Sequence, residues 1–388
     1  MWRYGTAGFR GKGSDLQTVA YRLGLFLSMY TNECGVMITG SHNPEPDNGF
    51  KIVAEFNIDQ LETFINGSVQ PGPACCKRVF IGHDTRPSSK SLFDSLSIAF
   101  QMQHVPIEYV GLVTTPELFY MATFYKTISY SNVPISKRAL VVDCANGVGG
   151  HTLSQFPWLQ LVHNDPLRGV NNQCGSWHLQ THPQDVKCYG PMLHAAIDGD
   201  ADRVIFYYFN NRNDIRILDG DKIVSLLIAA DPTIRNVVVS EYSNSAFFEY
   251  LHTSKITPHV TAPGMRHLLS KANTLNVDEP VVVFESNGHG TILHSNDTTT
   301  PFQKNTTDAI LWILLVPYML DRLQWTHQQW DALYEPYPNI IVNTTTRPNA
   351  PPNAKRVYIR ESGTEQSYRM YVETTTQQEL DMLNLTVT

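Results

Sequence analysis

The chain has 388 residues, 42% hydrophobic and 17% charged, with 29 Lys plus Arg against 36 Asp plus Glu for a net charge of −7. At about 150 residues per domain this length predicts two to four domains and more than one hydrophobic core. So few charges exclude a disordered acidic or basic tail, and the lack of a basic stripe excludes a nucleic-acid backbone as partner. Any phosphate bound must be gripped locally by a few placed cations.

From the N-terminus onward, short β-branched runs alternate with helix-period stretches, the pattern of parallel sheets with crossover helices. Residues 1–10 are polar and lack an apolar h-region, so no secretory signal is expected. Strands are predicted at 36–38 and 79–81 and a helix at 88–103; after a break near Tyr125 come strands at 140–142 and 204–209. A second break falls near Ile217, followed by helices at 220–230, 245–253 and 264–274 and strands at 237–239 and 281–284. The apolar run 309–320 is shorter than the ~18 residues that span a bilayer and is bracketed by Asp308 and Asp321, so the helix over 306–321 reads as buried. After Leu323 a Pro- and Asn-rich connection leads to strand-like runs at 357–359 and 368–372 and a final helix. The expected fold is α/β: three consecutive α/β units, 1–125, 126–217 and 218–323, with mixed or parallel sheets, and a small α+β domain, 324–388, around a central cleft. Cys34, Cys75, Cys76, Cys144, Cys174 and Cys188 include no C-x-x-C pair, which suits neither a disulfide framework nor a zinc site and predicts a reducing, cytoplasmic setting.

Nearly every predicted strand runs into a polar or glycine-rich loop, where open α/β sheets bind ligands. Asp198-Gly199-Asp200-Ala201-Asp202-Arg203 places three carboxylates at alternate positions, hard oxygen ligands suited to Mg²⁺. An EF-hand is excluded, because its sixth and twelfth positions would be Arg203 and Phe209; the bland rival is a solvated acidic turn. Thr39-Gly40-Ser41-His42-Asn43-Pro44, followed by Asn48-Gly49-Phe50-Lys51, holds a serine suited to a nucleophile or phosphate carrier, or forms an ordinary turn. Ser41 and His42 are adjacent and no G-x-S-x-G elbow exists, which argues against a Ser-His hydrolase and makes His42 alone a loop residue rather than a base. Glu285-Ser286-Asn287-Gly288-His289-Gly290 reads equally as a sugar-hydroxyl or amide site and as a helix-entry turn. Arg360-Glu361-Ser362-Gly363-Thr364-Glu365, with Arg369 beyond, makes a cradle for a phosphate dianion within a β-turn.

With Tyr4-Gly5-Thr6-Ala7-Gly8-Phe9-Arg10 at the start, these motifs in this order resemble the α-D-phosphohexomutase superfamily over essentially the whole chain. The nearest likeness within it is to the phosphoacetylglucosamine mutases. That finer likeness rests on the serine loop preceding Gly82-His83-Asp84-Thr85-Arg86-Pro87-Ser88, on the E-S-N-G-H-G loop, and on Asn171-Asn172-Gln173-Cys174-Gly175 leading to Thr181-His182. The resemblance implies an intramolecular phosphotransferase of the isomerase class. It would interconvert N-acetylglucosamine 6-phosphate and N-acetylglucosamine 1-phosphate through phosphoserine at Ser41 and a bisphosphate intermediate. It also implies one Mg²⁺ held by Asp198, Asp200, Asp202 and phosphorylated Ser41, with Arg10, Lys51 and Arg203 balancing the surplus negative charge. Ser41, His42, Lys51 and Arg10 form the implied catalytic set, with proton transfer open between Lys51 and Arg10. Glu285, Asn287 and His289 are expected at the sugar ring and its N-acetyl group, Arg203, Arg266 and His267 elsewhere on the substrate, and Arg360, Ser362, Gly363, Thr364 and Arg369 at the non-reacting phosphate. The implied partner is a small amino-sugar phosphate, without nucleic acid or membrane, bound by a monomer or weak dimer. Three departures stand out: Gly40 for Ala, which predicts a freer serine loop; Glu361 for Pro, which sets a carboxylate beside a phosphate site; and a short last unit. The alternatives are a phosphoglucomutase, phosphomannomutase or phosphoglucosamine mutase, and a non-catalytic sugar-phosphate sensor.

Overall fold

Among the described residues four sheets follow one another along the chain. The computed structural model describes residues 1–5, 8–67, 72–275, 278–293, 307–361, 367–383 and 385. The first sheet contains β1 (Phe9–Lys12), β2 (Glu33–Ile38), β3 (Asp47–Val53), β4 (Arg78–His83) and β5 (Ile107–Leu112), in the order β1-β3-β2-β4-β5. β2, β4 and β5 run parallel, while β3 returns antiparallel to β2. β2 is buried on both faces, which accounts for its unbroken apolar run. Because side chains alternate along a strand, Val36 and Ile38 enter the core beneath helices Gln17–Tyr30 and Ser89–Met102. Met37 instead meets Val113 and Leu118, from the start of helix Thr115–Phe124 and the loop before it.

The second sheet orders β6 (Leu140–Asp143), β7 (Leu159–Val162), β8 (Leu193–Ile197), β9 (Val204–Phe209) and β10 (Ile215–Leu218) as β10-β9-β8-β6-β7. The third orders β11 (Asn236–Ser240), β12 (Thr257–Thr261), β13 (Val281–Phe284) and β14 (Gly290–Leu293) as β12-β11-β13-β14. A single apolar cluster runs across both, from Tyr130 to Trp330, so the break read near Ile217 lies inside β10 and above a continuous core. Helix Ala309–Leu323 is the reason. It is buried almost all round, packs on helix Gly220–Ala230, and sends the Trp312 indole N–H to the Gly290 carbonyl at 3.1 Å. Its N-terminus is capped by Asp308, whose carboxylate accepts from the Ile310 and Leu311 N–H groups and from the Tyr130 hydroxyl. Among the described residues no helix is long and apolar enough to cross a membrane.

The last sheet is antiparallel, β15 (Asn339–Thr344), β16 (Arg356–Glu361) and β17 (Tyr368–Glu373) in the order β15-β17-β16. It docks on the loop after β11. The buried Glu373 carboxylate accepts from the Ser245 N–H at 2.8 Å and from the Ser245 and Tyr371 hydroxyls, and Asn244 exchanges two hydrogen bonds with the Tyr337 backbone. Helix Gln17–Tyr30 and the antiparallel edge strands β1, β10, β14 and β15 were not legible in the sequence.

Candidate active site

The serine loop leaves the buried end of β2 with Ser41 in the left-handed region, φ 55°. Such a conformation costs a non-glycine residue about 1–2 kcal/mol, so the surroundings must impose it. They do so from three segments. The Ser41 N–H donates to Thr39 Oγ1 at 2.8 Å, and Thr39 donates to Asp84 at 2.6 Å. The Ser41 carbonyl accepts from Arg86 at 3.2 Å and from the Asn171 side-chain amide at 2.6 Å; both donors also reach the Asn43 carbonyl. Arg86 is itself paired with Asp84. A Cβ on Gly40 would fall 2.7 Å from the Arg86 guanidinium, so glycine here admits a close stacking contact. The freer loop expected from Gly40 is therefore not found: the space is filled.

Ser41 Oγ donates to Asp198 Oδ2 at 2.8 Å, joining the first sheet to the loop after β8. That loop curls because Asp198 Oδ1 accepts the N–H groups of Asp202 and Arg203. One oxygen each from Asp198, Asp200 and Asp202 lies within 4.8 Å of the others, and all three residues are buried. Asp200 Oδ1 and Asp202 Oδ1 are buried with no hydrogen-bond partner, the condition of carboxylates shaped for a hard cation. The Lys51 ammonium bridges Asp200 and Asp202, Thr115 donates its hydroxyl to Asp200 at 2.5 Å, and His289 Nε2 stands 3.4 Å from Asp202. Arg203 Nε lies 3.9 Å from Asp198.

Burial pushes the Asp198 carboxyl well above the usual carboxylate range, with Asp200 and Asp202 adding to the effect. Burial acts likewise on Asp200 and Asp202 but is overcome by the Lys51 cation, helped by Thr115 at the first and His289 at the second, and both are held low. Burial opposes the Lys51 charge, yet Asp200 and Asp202 outweigh it and raise its pKa. Arg10 is brought down by burial to about 10 and stays cationic near neutral pH; its Nη1 donates to the Thr39 carbonyl at 2.7 Å, while Nη2 is buried with no hydrogen-bond partner. Burial, then Arg203, Arg10, Arg369 and Lys51, drive His42 well below its ordinary value, so it is neutral near neutral pH; its ring lies 5.2 Å from Trp177.

The third loop depends on Gly288, φ 85°, where a Cβ would fall 2.0 Å from the Val204 carbonyl oxygen. Asn287 Oδ1 accepts the His289 N–H, and Glu285 Oε1 accepts the Gly264 N–H at 2.8 Å, tying the start of helix Met265–Asn273 to this loop. Arg266 on that helix is exposed; His267 is half-buried and pushed down by burial, Arg266 and Arg360. Arg360 and Arg369 stand directly opposite each other on β16 and β17, and Arg360 donates to the Tyr242 hydroxyl at 2.9 Å. Facing like charges are costly, and an anion placed between them would offset that cost. Glu361 is exposed and accepts from the Tyr368 hydroxyl at 3.4 Å. Ser362, Gly363 and Thr364 lie outside the described residues, as do Thr6 and Ala7.

The structure thus gathers Ser41, His42, Arg10, Lys51, Asp198, Asp200, Asp202, Arg203 and His289 around one centre, while Arg266 and Arg360 act on His267 and Arg369 acts on His42. Sequence reading assigned no role to Thr115, Asp84, Arg86 or Asn171. The last three stood in quoted segments; the signal for Thr115 was a helix-start pattern, Thr114-Thr115-Pro116-Glu117, just after β5.

Comparison with known proteins gives two family matches. "Phosphoglucomutase/phosphomannomutase, alpha/beta/alpha domain I" matches residues 6–66, and "Phosphoacetylglucosamine mutase AMG1, domain III" matches residues 219–313. Phosphoacetylglucosamine mutase 1 of Schizosaccharomyces pombe is 30% identical over 507 residues, covering 98% of this chain and 97% of the yeast protein. A substantial part of that alignment has no counterpart in a chain of 388 residues. The Homo sapiens phosphoacetylglucosamine mutase is 29% identical, with 98% and 92% covered. The crystal structure of the Aspergillus fumigatus N-acetylphosphoglucosamine mutase with GlcNAc-6P and magnesium superposes with a TM-score of 0.82 at 26% identity, covering 99% of this chain and 94% of that one.

Proposed function

The chain belongs to the phosphoacetylglucosamine mutase family, and on that premise we propose that it interconverts N-acetylglucosamine 6-phosphate and N-acetylglucosamine 1-phosphate through phosphoserine 41 and a sugar bisphosphate. Relatives support one end and the middle of this cycle: the fungal enzyme is known with GlcNAc-6P and magnesium, and a variant of it with glucose 1,6-bisphosphate. The observation that carries the reading is the Ser41 hydroxyl bonded to Asp198 at the edge of three buried carboxylates, ringed by Arg10, Lys51 and Arg203. We propose four segments, 1–125, 126–217, 218–323 and 324–388, which contribute the serine, the carboxylates, the sugar loop and the distal arginines in turn, the second and third sharing one core.

Asp198, Asp200, Asp202 and the Ser41 phosphate would hold Mg²⁺, which supplies charge stabilisation on the transferring phosphoryl group. Arg86 and Asn171 hold the Ser41 carbonyl, so the phosphoryl group is presented in one direction. The bond from phosphorus to Ser41 oxygen breaks as a bond to the free sugar oxygen forms, and the sugar hydroxyl gives up its proton. That proton is matched by the one the released Ser41 oxygen gains; Arg10, committed to the Thr39 carbonyl, and Lys51, bridging Asp200 and Asp202, are both held cationic and stabilise the charge on the transferring phosphoryl group. After the bisphosphate turns over, the other phosphoryl group returns to Ser41. Arg360 and Arg369, with Arg266 and His267 nearby, grip whichever phosphate is not reacting, and this remote binding orients the reacting end. Six cysteines without a disulfide support a reducing compartment.

The test is intact-mass measurement with a phosphatase control, joined to turnover of N-acetylglucosamine 6-phosphate against glucose 6-phosphate. A phosphatase-sensitive phosphate and preference for the acetylated sugar are expected. Absence of any phosphate would reject the carrier role, and preference for glucose 6-phosphate would reject the substrate.

A further inference from the structure

The second sheet carries a cluster of unlike donors that the mutase chemistry does not use. Asp143 ends β6, His163 follows β7, and Cys174 precedes helix Gly175–Thr181; one donor atom of each lies within 4.8 Å of the others. We infer that Asp143, His163 and Cys174 form a binding site for one zinc-class divalent ion, separate from the aspartate loop that takes Mg²⁺.

A sulfur, an imidazole nitrogen and a carboxylate oxygen together select a borderline-soft ion and not Mg²⁺, which keeps to oxygen. The charges also match. One carboxylate and one thiolate neutralise a divalent ion, so the loaded site carries no net charge into the buried side of the sheet. Burial, with Asp143, keeps Cys174 a neutral thiol in the metal-free chain. Its proton, and any on the ligating His163 nitrogen, therefore leaves to solvent as the ion enters.

The donors are already oriented by outer partners. Asp143 accepts the Ala145 N–H on Oδ1 and the Gly175 N–H on Oδ2, both at 2.9 Å, and the Asn146 amide reaches Cys174 Sγ at 3.6 Å. His163 Nδ1 lies 3.0 Å from Asp143 Oδ2. Beside the cluster opens a cavity of about 100 Å³ lined by Asp143, His163, His178 and Asp185, with room for a water as a fourth ligand. The missing C-x-x-C pair had argued against zinc; three loops assemble the set without one.

Chelator-treated full-length protein, kept in excess Mg²⁺, is titrated with Co²⁺ by absorption and with Zn²⁺ by calorimetry. One equivalent should bind, with a thiolate-to-cobalt charge-transfer band and the visible bands of tetrahedral cobalt. Cys174→Ser should abolish the charge-transfer band, and His163→Gln should weaken Zn²⁺ binding roughly tenfold or more. A wild-type cobalt spectrum without a thiolate band overturns the proposal, whether or not the variants fold. So does affinity unchanged in both variants, or affinity lost in Asp200→Asn instead, which would put the ion on the aspartate loop.

Discussion

At the scale of single residues, Ser41 shows how much local strain a reactive position can hold when its neighbours leave no alternative. Its left-handed backbone is braced by two donors on one carbonyl, Arg86 from the first unit and Asn171 from the second. Ser41→Ala should abolish turnover and leave the far-ultraviolet circular dichroism unchanged; substantial residual mutase activity would contradict the carrier role. Asn171→Ala removes a brace without touching substrate. Its kcat should fall about 10- to 100-fold, as misplacement of a reacting group by an ångström does, with KM little altered. A change confined to KM would count against a positioning role.

Individual elements carry their own pH response. Helix Ala309–Leu323 is seated by Asp308, whose carboxyl burial raises from 3.8 to about 7, against the pull of the backbone N–H groups and the Tyr130 hydroxyl. Between about pH 4 and pH 7 the folded chain keeps a proton there that the unfolded chain has lost. Stability from this group therefore falls as pH rises through that window, by up to about 1.4 kcal/mol per pH unit, and levels off above it. Asp308→Asn caps the helix without ionising. The melting-temperature difference, wild type minus variant, should decline from pH 5 to pH 7; parallel curves would show that Asp308 titrates normally.

For the whole molecule, the last sheet is tied to the third through a few polar contacts. It rests on Ser245 and Asn244 through Glu373 and the Tyr337 backbone, and Arg360 and Arg369 stand opposite each other on β16 and β17. In Arg369→Ala the loss of charge-assisted hydrogen bonds to a phosphate should raise KM about tenfold or more, with only a small drop in melting temperature. An unchanged KM would mean that the distal phosphate is held elsewhere. The chain is much shorter than the alignment it shares with its yeast relative, and its described residues form four sheets.

What the sequence determined by itself was local. Alternating β-branched runs marked β2, β6, β11 and β13, and the three aspartates, the serine loop and the paired arginines were visible because each lies within a few consecutive residues whose chemistry does not depend on the rest of the chain. Only the tertiary structure decided which loops meet. Thr115 reaches Asp200 across 85 residues, Asn171 reaches Ser41 across 130, and one core unites two sheets that read as separate units. The cluster of Asp143, His163 and Cys174 belongs to the same class. Contacts of this kind are set by how sheets and helices pack, and packing follows from apolar burial summed over the whole chain, which no short stretch of residues encodes.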